Sequence, residues 1–138
     1  MRVTQKYLDE LTYTLIGCAI EVHRQLGPGL IESVYQKCYV QEVAHRGLYF
    51  VQQFAVPVLY KGLHLGTELR LDVMAENLII GELKAIERFA PIHDAVLLSY
   101  MKLLEKPKGI LLNFHCTNIF KEGQKTLINN HYSSLPKF

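Results

Sequence analysis

The sequence has no tryptophan, three cysteines among its 138 residues and a formal net charge of only +2. Cys18, Cys38 and Cys116 are far apart and form no C-x-x-C pair. We therefore expect reduced thiols in apolar surroundings, and neither a disulfide framework nor a zinc site. Because the net charge is small, any surface that binds nucleic acid has to be local.

Long apolar segments are absent as well. No run approaches the roughly 18 residues of a membrane span, and no signal-like segment follows the N-terminus. Hydrophobic residues still make up 49% of the chain, which is typical of a folded protein. We expect one cytoplasmic domain over residues 1–138, without membrane contact. Its ordered core would cover about residues 5–120, followed by a C-terminal extension at 121–138.

The stretch from Leu71 to Lys84 is the part of the sequence that suggests chemistry. It is predicted to form two strands joined by a tight turn at residues 75–77. The second strand, residues 78–86, is apolar on both faces except at Glu82 and Lys84, which indicates a buried strand. Charges inside such a strand need partners, because their desolvation is expensive. Glu82 and Lys84 are two residues apart and so point to the same face.

Asp72, on the first of these strands, is brought near Glu82 by the turn. With the turn centred near Glu76, Asp72 lies opposite Ile80 and diagonal to Glu82, at roughly 7–8 Å, and a slip of one residue would move it to the other face. The two carboxylates supply the oxygen ligands that Mg²⁺ prefers, and the Lys84 ammonium can orient a water or stabilise a phosphate. The structural alternative is an ion pair between Lys84 and one carboxylate, without a metal.

Hydrophobic periodicity predicts an α/β fold. The predicted helices cover residues 5–26, about 30–45 and 92–105, and the predicted strands cover residues 48–60, 64–74, 78–86 and 108–116. The first three strands form an antiparallel meander, with an edge or a bulge near Pro57, and the last strand follows a crossover helix and pairs in parallel. The tail after residue 116 could add an edge strand, and residues 133–138 are expected to be frayed.

Several short motifs, taken together, are similar to a known family. The run Gly29-x-x-Glu32-x-x-Tyr35 resembles the signature of the bacterial GxxExxY proteins, which are placed within the PD-(D/E)XK nuclease superfamily. The segment from Glu21 to Leu30 also follows the family pattern. Further matches, in the same order along the chain, are Tyr60-Lys61-Gly62, Arg70-Leu71-Asp72, Glu82-Leu83-Lys84, Leu98-Ser99-Tyr100 and Leu111-Leu112-Asn113-Phe114.

This resemblance implies a restriction-endonuclease-like core and a metal site. By the resemblance, Mg²⁺ or Mn²⁺ is held by Asp72, Glu82 and the backbone carbonyl of Leu83, with Glu32 as a third carboxylate from the second helix. Asp72, Glu82 and Lys84 are then the catalytic set, with Lys84 as the catalytic lysine. The alternative for Glu32 is an ordinary glutamate on a helix surface.

Three further residues are weaker candidates, and each has a structural alternative. Tyr35 is more commonly a core aromatic than a substrate contact. His93 could reach the sheet, although a capping or surface histidine is the more common case. Tyr100 belongs to a matching motif on the third helix. Relatives usually carry Gln where this chain has Val96, and valine cannot hydrogen-bond to a substrate.

We expect a metal-dependent nuclease that cleaves phosphodiester bonds in nucleic acid, DNA more than RNA, and a homodimer is one option for its assembly. The alternative is a catalytically weak or inactive module on the same fold that binds nucleic acid or protein. A thiol-based or histidine-based hydrolase is a weaker third hypothesis, because no nucleophile–base pair is evident. Six lysines within residues 100–138 are either a phosphate-facing patch or a solvated helix end and tail.

Overall fold

The computed structural model describes residues 2–66 and 69–138, which form five helices and seven strands. In chain order these are α1 (Gln5–Leu26), α2 (Glu32–His45), β1 (Phe50–Ala55), β2 (Val58–Tyr60), β3 (Leu63–Leu65), β4 (Arg70–Ala75), β5 (Ile79–Lys84), α3 (Pro91–Leu104), β6 (Lys108–Asn113), α4 (Ile119–Glu122), β7 (Gln124–Ile128) and α5 (Asn130–Ser133).

The main sheet has five strands in the order β1-β4-β5-β6-β7. Strands β1, β4 and β5 form an antiparallel meander, and β5 pairs with β6 in parallel after α3 crosses over. The predicted α/β fold, its meander and its parallel closing strand are therefore confirmed. Strand β7 adds an antiparallel edge beyond β6, as the mixed tail suggested.

A short hairpin formed by β2 and β3 lies between β1 and β4 along the chain. The sequence pattern did not distinguish these two strands from the longer strands next to them. The predicted strand 48–60 ends at Ala55 and resumes after Pro57 as β2, since proline donates no hydrogen bond to a ladder. The predicted strand 64–74 is likewise divided into β3 and β4, and its residues 67 and 68 lie outside the described residues. Strands β2 and β3 pair with each other as a separate two-stranded sheet.

Helix α1 begins and ends where its sequence predicts. Thr4 Oγ1 accepts a hydrogen bond from the Tyr7 N–H at 3.0 Å, which satisfies one of the free donors of the first turn. Gly27, with φ 68°, ends the helix in the left-handed region that favours glycine. Helix α2 starts at Glu32, slightly later than predicted, so Glu32 is its first residue.

The sheet is covered on both faces, and each face has its own hydrophobic core. Helices α1 and α2 pack on one face, where the fully buried side chains include Leu8, Tyr35, Tyr39 and Phe114. Helix α3 packs on the other face, where they include Ile80, Leu97, Met101 and Leu111. The central strand β5 is consequently buried from Ile79 to Leu83, as its continuous apolar run predicted.

The C-terminal segment is bound to the start of α1, so the fraying expected for residues 133–138 is not observed. The N–H groups of Gln5 and Lys6 donate to the carbonyls of Pro136 and Lys137 at 2.8 and 3.0 Å. The first N–H groups of a helix have no partner within it, and the tail supplies one here.

The lysines of residues 100–138 do not form one phosphate-facing patch. Lys108 is 4% exposed, and its ammonium binds Asp9 at 2.7 Å. Lys125 binds Asp94 at 2.6 Å, across from β7 to α3. These contacts engage two of the six charges in ion pairs within the protein.

The structure agrees with the sequence on the state of the thiols. All three cysteines are unpaired, and Cys18 is buried. Within the described parts of the chain, no helix combines the length and the apolar composition needed to cross a bilayer.

Gly109 is expected to be required for the packing of α3 on the sheet. A Cβ atom at this position would lie 2.8 Å from Cγ and Cδ1 of Leu97, which is itself fully buried. We expect Gly109→Ala to lower the free energy of unfolding by about 1–3 kcal/mol, because the core has no room to relax. Urea unfolding followed by circular dichroism measures this change.

Gly81→Ala is the matched control on the neighbouring strand. A Cβ at Gly81 would meet nothing closer than the Val73 carbonyl oxygen at 4.0 Å. We expect its stability to stay within about 1 kcal/mol of wild type. Equal destabilisation by the two substitutions would contradict the proposed clash with Leu97.

Candidate active site

The β4–β5 hairpin brings Asp72 and Glu82 to the same level of the sheet. Val73 pairs with Gly81, so the next positions along the two strands are Asp72 and Glu82. The predicted register, with Asp72 opposite Ile80, is therefore wrong by two residues, because Ile80 pairs with Met74. A shift of two residues keeps Asp72 on the predicted face of the sheet. It also places Asp72 directly opposite Glu82, where the predicted register had placed the two residues diagonally.

The backbone ladder is open at this point on both sides of β4. On the β1 side, Gln52 pairs with Val73 and Phe54 with Leu71, while the pair between them is missing. On the β5 side, the ladder ends at Val73 and Gly81. A break in the middle of a sheet leaves polar backbone groups that need other partners.

The two carboxylates replace the missing backbone contacts. The Asp72 N–H donates to Glu82 Oε2 at 2.8 Å, and the Leu83 N–H donates to Asp72 Oδ2 at 2.8 Å. Because the N–H and C=O of one strand residue point to the same side, the Leu83 carbonyl faces the Asp72 edge as well. Asp72, Glu82 and Leu83 are thus brought together.

Glutamine side chains complete the surroundings of Asp72. Gln36 on α2 donates through Nε2 to the Asp72 carbonyl at 3.0 Å. Gln53 on β1 directs its Nε2 to Asp72 Oδ1 at 3.4 Å. Asp72 is therefore held by contacts from α2, β1 and β5, and this network fixes both its backbone and its carboxylate.

Glu82 is the most perturbed group of the site. It is 5% exposed, and burial, followed by the charge of the nearby Asp72 carboxylate, raises its pKa to about 8. The Lys84 charge acts in the opposite direction. A neutral carboxylic acid beside a carboxylate is the arrangement expected when two such groups share a dry site.

Lys84 lies at the end of β5, partly exposed, two residues after Glu82. Among the described residues, no ion pair joins it to Asp72 or Glu82, so the metal-free ion pair considered from the sequence is not formed. Asn113, which is 3% exposed, binds both the N–H and the carbonyl of Ile86 through its amide. This contact fixes the chain directly after Lys84.

Glu32 reaches the same region from α2 but contacts a different group. Its Oε1 accepts a hydrogen bond from the Ala85 N–H at 3.2 Å. It lines a cavity of about 450 Å³ between α2 and β1, together with Asp72, Leu83, Gln36 and Gln53 among others. Glu32 therefore borders the site, at the end of the strand that carries Glu82.

The donor set fits a hard divalent cation only in part. Within residues 2–66 and 69–138, no group of three or more His, Cys, Asp or Glu side chains is arranged to hold a metal ion. Mg²⁺, however, commonly binds one or two carboxylates and completes its shell with water and substrate phosphate. Asp72 and Glu82 provide such a pair, and a bound cation would offset both the burial and the neighbouring Asp72 charge that raise the pKa of Glu82.

Tyr35 and His93 have structural contacts. The Tyr35 hydroxyl donates to the Gly27 carbonyl at 2.6 Å, and its ring stacks on Phe114 at 4.5 Å. It thereby holds the loop between α1 and α2. The Ala90 N–H donates to His93 Nδ1 at 2.8 Å at the start of α3. These contacts match the core and capping roles that were the alternatives for the two residues.

Tyr100 approaches the carboxylates from α3. It is 8% exposed, and burial raises its pKa, followed by the charges of Glu82 and Asp72. Val96, one turn earlier on α3, lines an apolar groove with Tyr100, Leu69 and Ile92. The α3 side of the site is thus apolar where the α2 side is polar.

Gln36, Gln53 and Asn113 received no role at the site from the sequence patterns. A usable signal was present for Gln53, because Gln52-Gln53 interrupts an apolar strand much as Glu82 and Lys84 interrupt theirs. Gln36 lies on a helix face without a distinguishing pattern. Asn113 belongs to one of the matching motifs, but its role becomes visible only in its contact with Ile86.

The raised pKa of Glu82 makes stability depend on pH. Between about pH 4.5 and 8 the folded protein retains a proton that the unfolded chain has released. The free energy of unfolding therefore falls as the pH rises through this window. Glu82→Gln removes the titration, and we expect the variant to gain at least about 1 kcal/mol relative to wild type between pH 5 and pH 8.5. Urea unfolding at the two pH values measures the difference.

Glu87→Gln provides the control, because the Glu87 side chain is 90% exposed in the loop after β5. Its stability should follow that of wild type at both pH values. A Glu82→Gln variant that tracks wild type in the same way would show that Glu82 ionises normally in the folded protein.

Comparison with known proteins identifies the family of the chain. A family model of the PD-(D/E)XK nuclease superfamily matches residues 9–126, a segment that includes Asp72, Glu82 and Lys84. No curated protein sequence and no solved structure is significantly similar to the chain. The α/β architecture and the mixed five-stranded sheet are consistent with the restriction-endonuclease-like core of that superfamily. The chain belongs to the PD-(D/E)XK nuclease superfamily.

Proposed function

We propose that this protein is a metal-dependent nuclease whose catalytic residues are Asp72, Glu82 and Lys84. The observation that carries the proposal is the facing pair of carboxylates at the opened β4–β5 ladder, with a lysine two residues further along β5 that forms no ion pair with either acid among the described residues. A sheet that only needed stability would not place two acids side by side with one of them buried, since their desolvation is unfavourable.

The proposed roles follow from the chemistry of the side chains. Asp72, Glu82 and the Leu83 carbonyl would hold Mg²⁺ or Mn²⁺, with Glu32 assisting from α2. A bound divalent ion supplies a water of lowered pKa and neutralises charge on the phosphate. Lys84, as a compact and unpaired cation, would hold the attacking water or a non-bridging phosphate oxygen.

The finer features of this proposal come from the sequence. We propose that the chain is a GxxExxY protein, on the motif from Gly29 to Tyr35, and that DNA is a better substrate than RNA. A homodimer would supply the surface that a domain of 138 residues lacks for gripping a duplex. The three unpaired cysteines suit action in a reducing cytoplasm.

A second candidate function is a catalytically weak or inactive module that binds nucleic acid or protein. Val96 favours it, because the α3 side of the site offers an apolar groove with no amide to contact a substrate. The unpaired Lys84 favours the enzyme, since an inactive scaffold gains nothing from an unpaired ammonium beside two acids. Cleavage assays distinguish the two functions.

We expect wild-type protein to cleave plasmid DNA in the presence of Mg²⁺ or Mn²⁺ and Lys84→Ala to cleave it at least about 100-fold more slowly. The expected loss is that of a positioned electrostatic group that acts in the transition state. Initial rates from gel electrophoresis, with substrate in excess, measure the effect.

Lys6→Ala is the matched control, because the exposed Lys6 side chain lies on the outer surface of α1, where it forms an ion pair with Glu10. Its cleavage rate should equal that of wild type. If Lys84→Ala retains the wild-type rate, Lys84 is not the catalytic lysine. If wild type is inactive with both ions on double-stranded and single-stranded DNA, the binding-module function is favoured.

We expect Asp72→Asn to weaken Mn²⁺ binding at least about tenfold, because an amide is a poorer ligand than a carboxylate for a hard cation. Isothermal titration calorimetry of MnCl₂ into metal-free protein measures the affinity. Glu10→Gln, on the exposed surface of α1, should bind Mn²⁺ as wild type does. Equal affinities for all three proteins would exclude Asp72 as a metal ligand.

A further inference from the structure

Gln53 has a backbone conformation that is unusual for its place in the chain. It lies within β1, yet its φ is 49°, in the left-handed region that side chains other than glycine rarely adopt. Such conformations persist only where the surroundings enforce them, and they concentrate at functional sites. Here the Arg70 guanidinium contributes, since it donates to the Gln53 carbonyl at 3.2 Å.

The positive φ changes the direction of the Gln53 side chain. Successive residues of a strand point to opposite faces, so Gln52 and Gln53 would normally be separated by the sheet. In the structure both line the cavity of about 450 Å³ that also contains Asp72. The missing pair between Gln53 and Asp72 in the β1–β4 ladder accompanies this turn. The backbone distortion thus places the Gln53 carboxamide next to Asp72, the proposed catalytic aspartate.

The contact that Gln53 makes there is easily exchanged. Its Nε2 lies 3.4 Å from Asp72 Oδ1, near the upper limit for a hydrogen bond, and the residue is exposed. By contrast, the other oxygen of Asp72 accepts from the Leu83 N–H at 2.8 Å. Oδ1 is therefore the weakly held oxygen of Asp72, and the Gln53 amide is its replaceable partner.

We propose that Gln53 is a substrate-binding residue of this site. In the free protein its carboxamide restrains Asp72 Oδ1, and in the complex it donates a hydrogen bond to a non-bridging oxygen of the phosphodiester. Neutral amide donors are common partners of nucleic-acid phosphates, and they add no positive charge to the cavity. This inference rests on the proposed nuclease function, which it extends to the polar α2 side of the site.

Two substitutions distinguish the contribution of the Gln53 amide from the effect of the backbone strain at this residue. Gln53→Ala removes the amide and keeps a side chain at positive φ, whereas Gln53→Gly removes the amide and relieves the strain. We expect both variants to cleave DNA at least about tenfold more slowly than wild type, as for a lost contact to the reacting phosphate. We expect Gln53→Gly to unfold at the same urea concentration as wild type or a higher one. A purely structural residue would lose stability and activity together.

Two further readouts do not depend on cleavage. Mn²⁺ affinity, from calorimetry, should be equal to wild type or tighter in both variants, because the amide no longer occupies Asp72 Oδ1. Retention of a fluorescein-labelled DNA duplex by filter binding in Ca²⁺ should fall at least about threefold. Asn77→Gly is the control: it has φ 56° in the turn at the opposite end of the β4–β5 hairpin, and it should keep wild-type cleavage.

The outcomes separate this inference from the proposed function. If wild type cleaves DNA and both Gln53 variants cleave it equally well, the inference is overturned and the nuclease function stands. Loss of activity that is confined to Gln53→Ala and accompanied by lower stability also overturns it, because strain alone would explain the result. A wild-type protein that neither cleaves nor retains DNA overturns both.

Discussion

The exchange of hydrogen bonds between Asp72 on β4 and the Glu82-Leu83 pair on β5 is the interaction on which the centre of this structure depends. Each carboxylate accepts a backbone N–H from the strand opposite, so two acidic side chains take the place of a ladder that ends one position earlier. A regular ladder would pair the backbone with itself and leave the acids without donors. The structure instead uses the acids to close the sheet at this level. The energetic consequence is visible at Glu82, whose carboxyl is buried so deeply that it favours its neutral form.

The rest of the fold makes this opening tolerable. Strand β5 is enclosed by β4 and β6 at its edges and by helices on both faces, so the irregularity is confined to one level of the sheet. The Asp72 carbonyl, a backbone group at that level, accepts a hydrogen bond from Gln36 on α2, and Asn113 of β6 binds the chain after β5. Helix α2 therefore does more than cover apolar surface. Its Gln36 side chain completes hydrogen bonding that the strands have given up, and this contact helps to position Asp72.

The sequence predicted the larger features because they rest on patterns with a direct physical cause. A continuous apolar run marked β5 as buried, and charges within that run marked the site. The meander and the parallel closing strand followed from element order. The register of the hairpin could not be predicted from the sequence. Its turn depends on positive φ at Glu76 and Asn77, and no glycine at these positions indicates such a conformation. The division at Pro57, the docked tail and the glutamines around Asp72 depend on contacts between distant residues, which periodicity does not record.

Strands β4 and β5 with their turn form one hairpin, and this locality affects how the protein folds. Both acids lie between Arg70 and Lys84, so few residues separate them and the loop-closure entropy for their meeting is small. Local contacts form early in folding, whereas the parallel pairing of β5 with β6 must wait until the α3 crossover is complete. The acids would thus meet while still hydrated, and they lose their water only as the later elements close over them. The relative placement of the two acids is determined within one short segment of the chain, so the same hairpin could be transferred to another sheet.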